Sequence, residues 1–183
     1  MIANVLNSKK LSVKVQTLAG LIAVISAIAL PQLFHVMGAA SGLGTALGEA
    51  FLPMHLPIIL AGLLCGPYAA ASAGAVAPLL SALLTGMPKP AMIPFMCIEL
   101  CVYGLAAGLL RDAKIPTLVK VLIAQIAGRA VRAAAIVIGV NAFGSTLDVS
   151  IIWTSVTVGI FGLALQWALI PLVVYRLRDN KSE

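Results

Sequence analysis

The chain has 183 residues, of which 61% are hydrophobic and 10% are charged, and its mean hydropathy is +1.09. A soluble domain of this length needs far more charge to cover its surface, so a soluble enzyme is excluded. The net charge of +6 does not indicate a nucleic-acid partner, because the basic residues cluster at the ends of apolar segments. We therefore predict an all-α membrane protein with one domain over residues 1–183.

Apolar segments of about 20 residues can cross a bilayer core roughly 30 Å thick. The first segment follows a polar N-terminus and contains Pro31 near its end. Residues 38–54 are rich in Gly and Ala, and we predict a long outward-facing loop there. Gly66-Pro67 and residues 85–90 interrupt the later segments, because proline and glycine end helices. The six predicted spans are residues 15–35, 55–66, 68–86, 91–110, 116–141 and 149–175.

Basic residues predict the orientation. With six spans, three basic clusters fall on one side of the membrane: Lys9, Lys10 and Lys14, then Arg111, Lys114 and Lys120, then Arg176, Arg178 and Lys181. The opposite side carries only Lys89. Cytoplasmic segments are enriched in Lys and Arg, so we predict that both termini are cytoplasmic, in a bacterial inner membrane.

Glu99, Arg129 and Arg132 fall inside predicted spans, where a charge costs about 2.5 to 3.5 kcal/mol at mid-bilayer. Gln125, Arg129 and Arg132 share one helix face, because they are four and three residues apart. At about 1.5 Å per residue, Glu99 and Arg132 lie at similar depth in the outer half of the bundle. They either form structural ion pairs or line a solute cavity. In a cavity, the excess of arginine favours an anionic solute, although Arg129 can instead bond backbone carbonyls.

Further polar side chains near the outer span ends complete the candidate substrate-binding site. They are Glu49, His55, Tyr103, Asn141, Trp153 and Thr157. Trp153 is also typical of an interfacial anchor, and His55 can serve as a loop cap. No metal-ligand spacing, catalytic triad or C-x-x-C pair is present, and the three cysteines lie in apolar segments. We expect no metal, no cofactor and no catalytic residue.

The first span carries a stripe of small residues, Ala19, Ala23 and Ala27, with Gly20 beside it. Such a stripe allows another helix to approach closely. It serves either packing within the chain or contact with a partner protein.

Three segments carry a family resemblance: residues 52–67, with Pro-Met-His-Leu-Pro; residues 77–88, ending in Thr-Gly-Met-Pro; and residues 99–104, Glu-Leu-Cys-Val-Tyr-Gly. Together with six spans, they resemble the substrate-binding S components of energy-coupling factor (ECF) transporters, over about residues 12–176. The resemblance implies capture of a vitamin or related micronutrient at an outward-facing site. It also implies a transmembrane coupling subunit that contacts the alanine stripe, and two cytoplasmic ATPases that use the ATP.

The arginine excess favours an anionic substrate such as pantothenate or another carboxylate vitamin. A flavin, a pyrimidine or thiazole precursor of thiamine, and a cobalamin precursor such as α-ribazole stay open. A membrane-embedded enzyme acting on lipid or isoprenoid substrates is one alternative, but Glu99 is the only carboxylate deep in a predicted span. A self-contained small transporter is another, but no internal repeat is evident.

Overall fold

The computed structural model describes residues 11–178, so Lys9, Lys10 and Lys181 of the predicted basic clusters lie outside the described residues. Six segments are long and apolar enough to span a membrane, and no strand occurs within the described range. The prediction of an all-α bundle with six spans is confirmed. The α-helices of this range are α1 (Val13–Ala40), α2 (Ala46–Phe51), α3 (His55–Cys65), α4 (Pro67–Thr85), α5 (Ile93–Leu109), α6 (Thr117–Phe143), α7 (Ile151–Val158) and α8 (Ile160–Arg178). A short 3-10 helix (Pro90–Met92) precedes α5.

Helix α1 is longer than predicted. It passes through Pro31 and ends at Ala40, because a membrane helix tolerates proline when its neighbours stabilise the freed backbone. Gly42 and Gly44 then adopt left-handed conformations, and the amides of Leu43 and Gly44 both donate to the Gly38 carbonyl. The chain reverses over residues 41–45 and continues into α2. The long loop predicted for residues 38–54 is therefore not clearly present, because residues 38–40 belong to α1 and residues 46–51 to α2.

The last predicted span is also divided. Helix α7 ends at Val158, and α8 begins at Ile160. Gly159 between them is buried, and a Cβ atom added there would lie 2.7 Å from Leu52 Cδ1. The chain at the helix break therefore packs against Leu52, in the segment that follows α2. Only α8 is long enough to span, so the prediction of one continuous span over residues 149–175 is wrong.

Helix α3 lies at the centre of the bundle. Most of its residues are buried, and it packs against α1, α4, α5 and α8. Beside it, α4 and α5 approach each other closely at Gly74 and Gly104. A Cβ atom at Gly104 would collide with the Ala70 backbone, and one at Gly74 would collide with the Leu100 carbonyl. Small residues permit such packing between membrane helices.

Basic side chains gather at one end of the bundle, where α5 ends and α6 begins. Lys120 Nζ donates to the Arg111 carbonyl at 2.9 Å, and Arg178 Nη1 donates to the same carbonyl at 3.2 Å. Arg178 also lies 3.6 Å from Asp112. We call this end, defined by Arg111, Lys120 and Arg178, the basic end. The first residues of α3 and α5 lie at the opposite end.

The alanine stripe of α1 faces the interior of the chain. Ala23 and Ala27 are buried in the core that α1 forms with α3 and α4, and Ala19 packs against a smaller cluster around Leu11 and Cys65. The side chains of Ala23 and Ala27 are buried, which favours packing within the chain. These small side chains let α1 pack tightly within the bundle. Contact between the stripe and a partner helix stays a prediction.

Ala27→Leu is accordingly expected to lower the free energy of unfolding by about 1–3 kcal/mol, because the added carbons overpack a fully buried position. Solute binding should fall with the stability. Ala29→Leu is the matched control, since Ala29 is exposed on the same helix. Thermal unfolding of the detergent-purified variants compares them. Equal stability of the Ala27→Leu variant and the wild type would contradict this packing.

Candidate functional site

A cavity of about 410 Å³ opens at the end of the bundle opposite the basic end. This volume is within the range of small-molecule sites. Residues of helices α1 to α7 line it, together with the connections between α2 and α3 and between α4 and α5. Its charged and imidazole side chains are His35, Glu49, His55, Lys89, Glu99 and Arg132. Much of the remaining wall is apolar and includes Met54, Met87, Met92 and Met96.

Glu99 is the centre of the polar wall and is fully buried. Arg132 Nη1 donates to Glu99 Oε2 at 3.0 Å, and Tyr103 Oη donates to Glu99 Oε1 at 3.0 Å. His55 Nε2 lies 3.8 Å from Glu99 Oε2. The predicted pairing of Glu99 with Arg132 is confirmed. It links α5 to α6 and brings both charges to the cavity wall.

Tyr103 does not line the cavity but holds the Glu99 carboxylate from behind. Its ring lies against Gly128 of α6, where a Cβ atom would collide with the ring. Tyr103 therefore acts on the site through Glu99.

Several buried polar atoms around the cavity have no hydrogen-bond partner among residues 11–178. These atoms are Gln32 Nε2, His35 Nδ1 and both ring nitrogens of His55. Buried polar groups are nearly always hydrogen-bonded in native proteins. A bound solute or water would therefore complete their bonding, and the wall presents both donors and acceptors to it.

Gln32, His35 and Lys89 were not predicted as site residues. Gln32 and His35 share one face of α1, because they are three residues apart. The sequence could have indicated both residues, because they are polar and lie near the end of an otherwise apolar span. Met87, Met92 and Met96 were also missed, since a methionine in an apolar segment carries no functional signal of its own. Their flexible side chains adapt to the shape of a ligand.

Arg129 does not line the 410 Å³ cavity. Its Nη1 lies 3.3 Å from the Ser155 carbonyl and 3.5 Å from the Ser155 hydroxyl of α7. The prediction that Arg129 can bond a backbone carbonyl is confirmed. Arg129 and Arg132 both line a second, small pocket of about 30 Å³.

The family model for the substrate-specific component of ECF transporters matches residues 12–174. The chain belongs to this family. No curated protein and no solved structure matches it. An S component is the substrate-specific subunit of an ECF importer and works with transmembrane and ATPase subunits, so it is a transport subunit and not an enzyme. The predicted resemblance is thereby confirmed, and this S component is a multi-pass membrane protein.

Besides Tyr103 and Arg129, four predicted site residues lie away from the cavity of this S component. Gln125 is buried between α6 and α8, where it donates to Gln166 and accepts from Trp167 Nε1. The amide of Asn141 bonds the Val137 carbonyl of its own helix. Trp153 is 75% exposed, and the Thr157 hydroxyl bonds its own helix. The rotation of α6 and α7 directs these side chains elsewhere.

Glu49 does line the cavity of the S component, at its rim. Its side chain is exposed and accepts a hydrogen bond from Thr45 Oγ1 at 3.1 Å. No group of three His, Cys, Asp or Glu residues within the described part of the chain could hold a metal ion.

Proposed function

We propose that this S component captures a water-soluble vitamin or related micronutrient in the 410 Å³ cavity. A transmembrane coupling subunit and two cytoplasmic ATPases would then drive uptake, with ATP hydrolysed by these partners. The proposal rests on the cavity wall around Glu99 and Arg132, where several buried polar atoms have no hydrogen-bond partner among the described residues. The family match supports it, because members of this family are substrate-specific subunits.

The proposal includes an orientation. Arg111, Lys120 and Arg178 meet at the basic end, and the positive-inside rule assigns such an end to the cytoplasm. The cavity then opens to the outside of a bacterial plasma membrane, and both chain termini are cytoplasmic. A subunit for solute uptake needs an outward-facing cavity, since it must bind its solute outside the cell before the ATPases act.

The cavity wall favours a solute with both an apolar body and a few polar groups. Methionine side chains offer a compliant apolar surface, while His55 and Gln32 offer hydrogen bonds at fixed positions. Glu99 and Arg132 neutralise each other, so they do not by themselves select a charged solute. A carboxylate vitamin such as pantothenate stays our proposal because of the second arginine, Arg129.

Mass spectrometry of small molecules released from the detergent-purified protein tests the function directly. We expect one vitamin-like compound at near-stoichiometric yield. His55→Ala should weaken its binding about tenfold, which corresponds to about 1.4 kcal/mol, because His55 is buried at the wall. Asn141→Ala is the control and should bind as the wild type does, since Asn141 bonds its own helix. Release of phospholipid alone, with no vitamin uptake by cells that also contain an ECF coupling module, would overturn the proposal.

A further inference from the structure

The small pocket between α6 and α7 is lined by two arginines. Its volume is about 30 Å³, and Arg129 and Arg132 both line it. Ala133 and Ile136 of α6 and Ser155 of α7 contribute other parts of the wall. We call it the arginine pocket.

Three guanidinium nitrogens around the arginine pocket are buried and have no hydrogen-bond partner in the described part of the chain. They are Nε and Nη2 of Arg129 and Nε of Arg132. Arg132 as a whole is only 7% exposed. An unsatisfied buried donor is unfavourable, and more so when it belongs to a charged group. These donors therefore point to an acceptor that the chain itself does not supply.

The charges around the arginine pocket do not balance. Glu99 is the carboxylate that pairs with Arg132, and its other oxygen accepts from Tyr103. Arg129 bonds only neutral groups of Ser155, and no salt bridge within residues 11–178 joins it to a carboxylate. One positive charge is thus left over on Arg129, a half-buried residue whose Nε and Nη2 atoms are buried. Burying these atoms without a counter-charge is unfavourable, so a single negative charge would complete the site.

Size and charge limit what can supply that charge. A volume of about 30 Å³ suits a small group. A carboxylate or a halide supplies the single negative charge that is needed, whereas a sulfate supplies two. Arg132 and Ser155 line the arginine pocket and the 410 Å³ cavity alike. A solute in the larger cavity could therefore extend a carboxylate between the two arginines.

We propose that the arginine pocket binds one small monoanionic group, a carboxylate or a halide, between Arg129 and Arg132. Two sources share this chemistry: the carboxylate of a solute in the larger cavity, or a free anion. The first source rests on the proposed function, and the second does not.

The test uses the full chain in detergent, dialysed free of solute and held in potassium sulfate at constant ionic strength. Sodium formate and sodium chloride are the probes. We expect a saturable rise in Tm of about 5 °C at a hundredfold excess over Kd. Arg129→Gln should abolish the response. Ala133→Val should also abolish it by filling the pocket while both arginines stay in place. Arg176→Gln is the control and should respond as the wild type does, because Arg176 is exposed in the last turn of α8.

The two sources are separated by competition. If formate displaces the compound released from the purified protein, and Arg129→Gln weakens binding of that compound at least tenfold, the solute carboxylate is the source. If formate stabilises the protein without displacing the compound, the source is a free anion. The arginine pocket would be overturned as an anion site if the Tm of the wild type showed no saturable rise. It would also be overturned if Arg129→Gln and Ala133→Val showed the same rise in Tm as the wild type. A vitamin released at near-stoichiometric yield would leave the proposed function standing in that case.

Discussion

Arg132→Ala is expected to lower the free energy of unfolding of the S component by about 3–5 kcal/mol. The change leaves Glu99 fully buried without its cationic partner, which lies 3.0 Å away in the wild type. It should also weaken solute binding by about 2 kcal/mol or more, since Arg132 lines both the cavity and the arginine pocket. Chemical or thermal unfolding in detergent measures the first effect, and calorimetric titration with the identified solute measures the second.

A double variant separates these two effects. Glu99→Gln combined with Arg132→Gln removes both charges, so most of the stability should return while solute binding stays weak. Arg176→Ala controls for the loss of an arginine at an exposed position. A folded Arg132→Ala variant with unchanged solute affinity would remove Arg132 from the binding site. An unchanged unfolding free energy would show that Glu99 finds another partner.

Gly104→Ala is expected to have the second largest effect, about 3 kcal/mol of lost stability. The new methyl group would collide with the backbone of Ala70 in α4. Backbone atoms cannot move aside as the end of a flexible side chain can, so α5 must shift away from α4. Because α5 carries Glu99, the shift should also lower solute binding. Unfolding temperature and elution volume in size-exclusion chromatography would report the loosened bundle.

Gly20→Ala is the matched control for this prediction. A Cβ atom at Gly20 would lie 3.5 Å from the Ala69 carbonyl oxygen, which is an ordinary contact. Its stability should stay within about 0.5 kcal/mol of the wild type. If Gly104→Ala is as stable as Gly20→Ala, then α4 and α5 are not packed as closely as Gly74 and Gly104 indicate.

Span boundaries were predictable where the chain carries strong local breakers. Gly66-Pro67 separates α3 from α4 as predicted, because proline begins a helix readily but cannot continue one. Pro31 had the same local signal and does not end α1, since its neighbours in the bundle support the helix. The break at Gly159 was not predicted; there the chain packs against Leu52, more than 100 residues earlier in the chain.

The candidate site was predictable where depth in the membrane decides the outcome. Counting residues from the span ends placed Glu99 and Arg132 at the same depth, and the structure places Arg132 Nη1 3.0 Å from Glu99 Oε2. Gln32 and His35 were missed because α1 was predicted to end near them. Asn141, Trp153 and Thr157 do not line the cavity, because depth in the membrane does not report which way a side chain faces.

By itself, the sequence determined that this protein lies in a membrane and that it has six spans. It also determined that the basic residues and the candidate site lie at opposite ends of the bundle, and that the chain resembles S components. These properties follow from hydropathy, breakers and charge, which are local. Only the tertiary structure decided that Ala27 faces the core, that Arg129 bonds Ser155, and that His35 reaches the cavity. The physical reason is that lipid and protein interior are equally apolar. Hydropathy therefore fixes the depth of a residue, while contacts between helices fix the rotation of each helix.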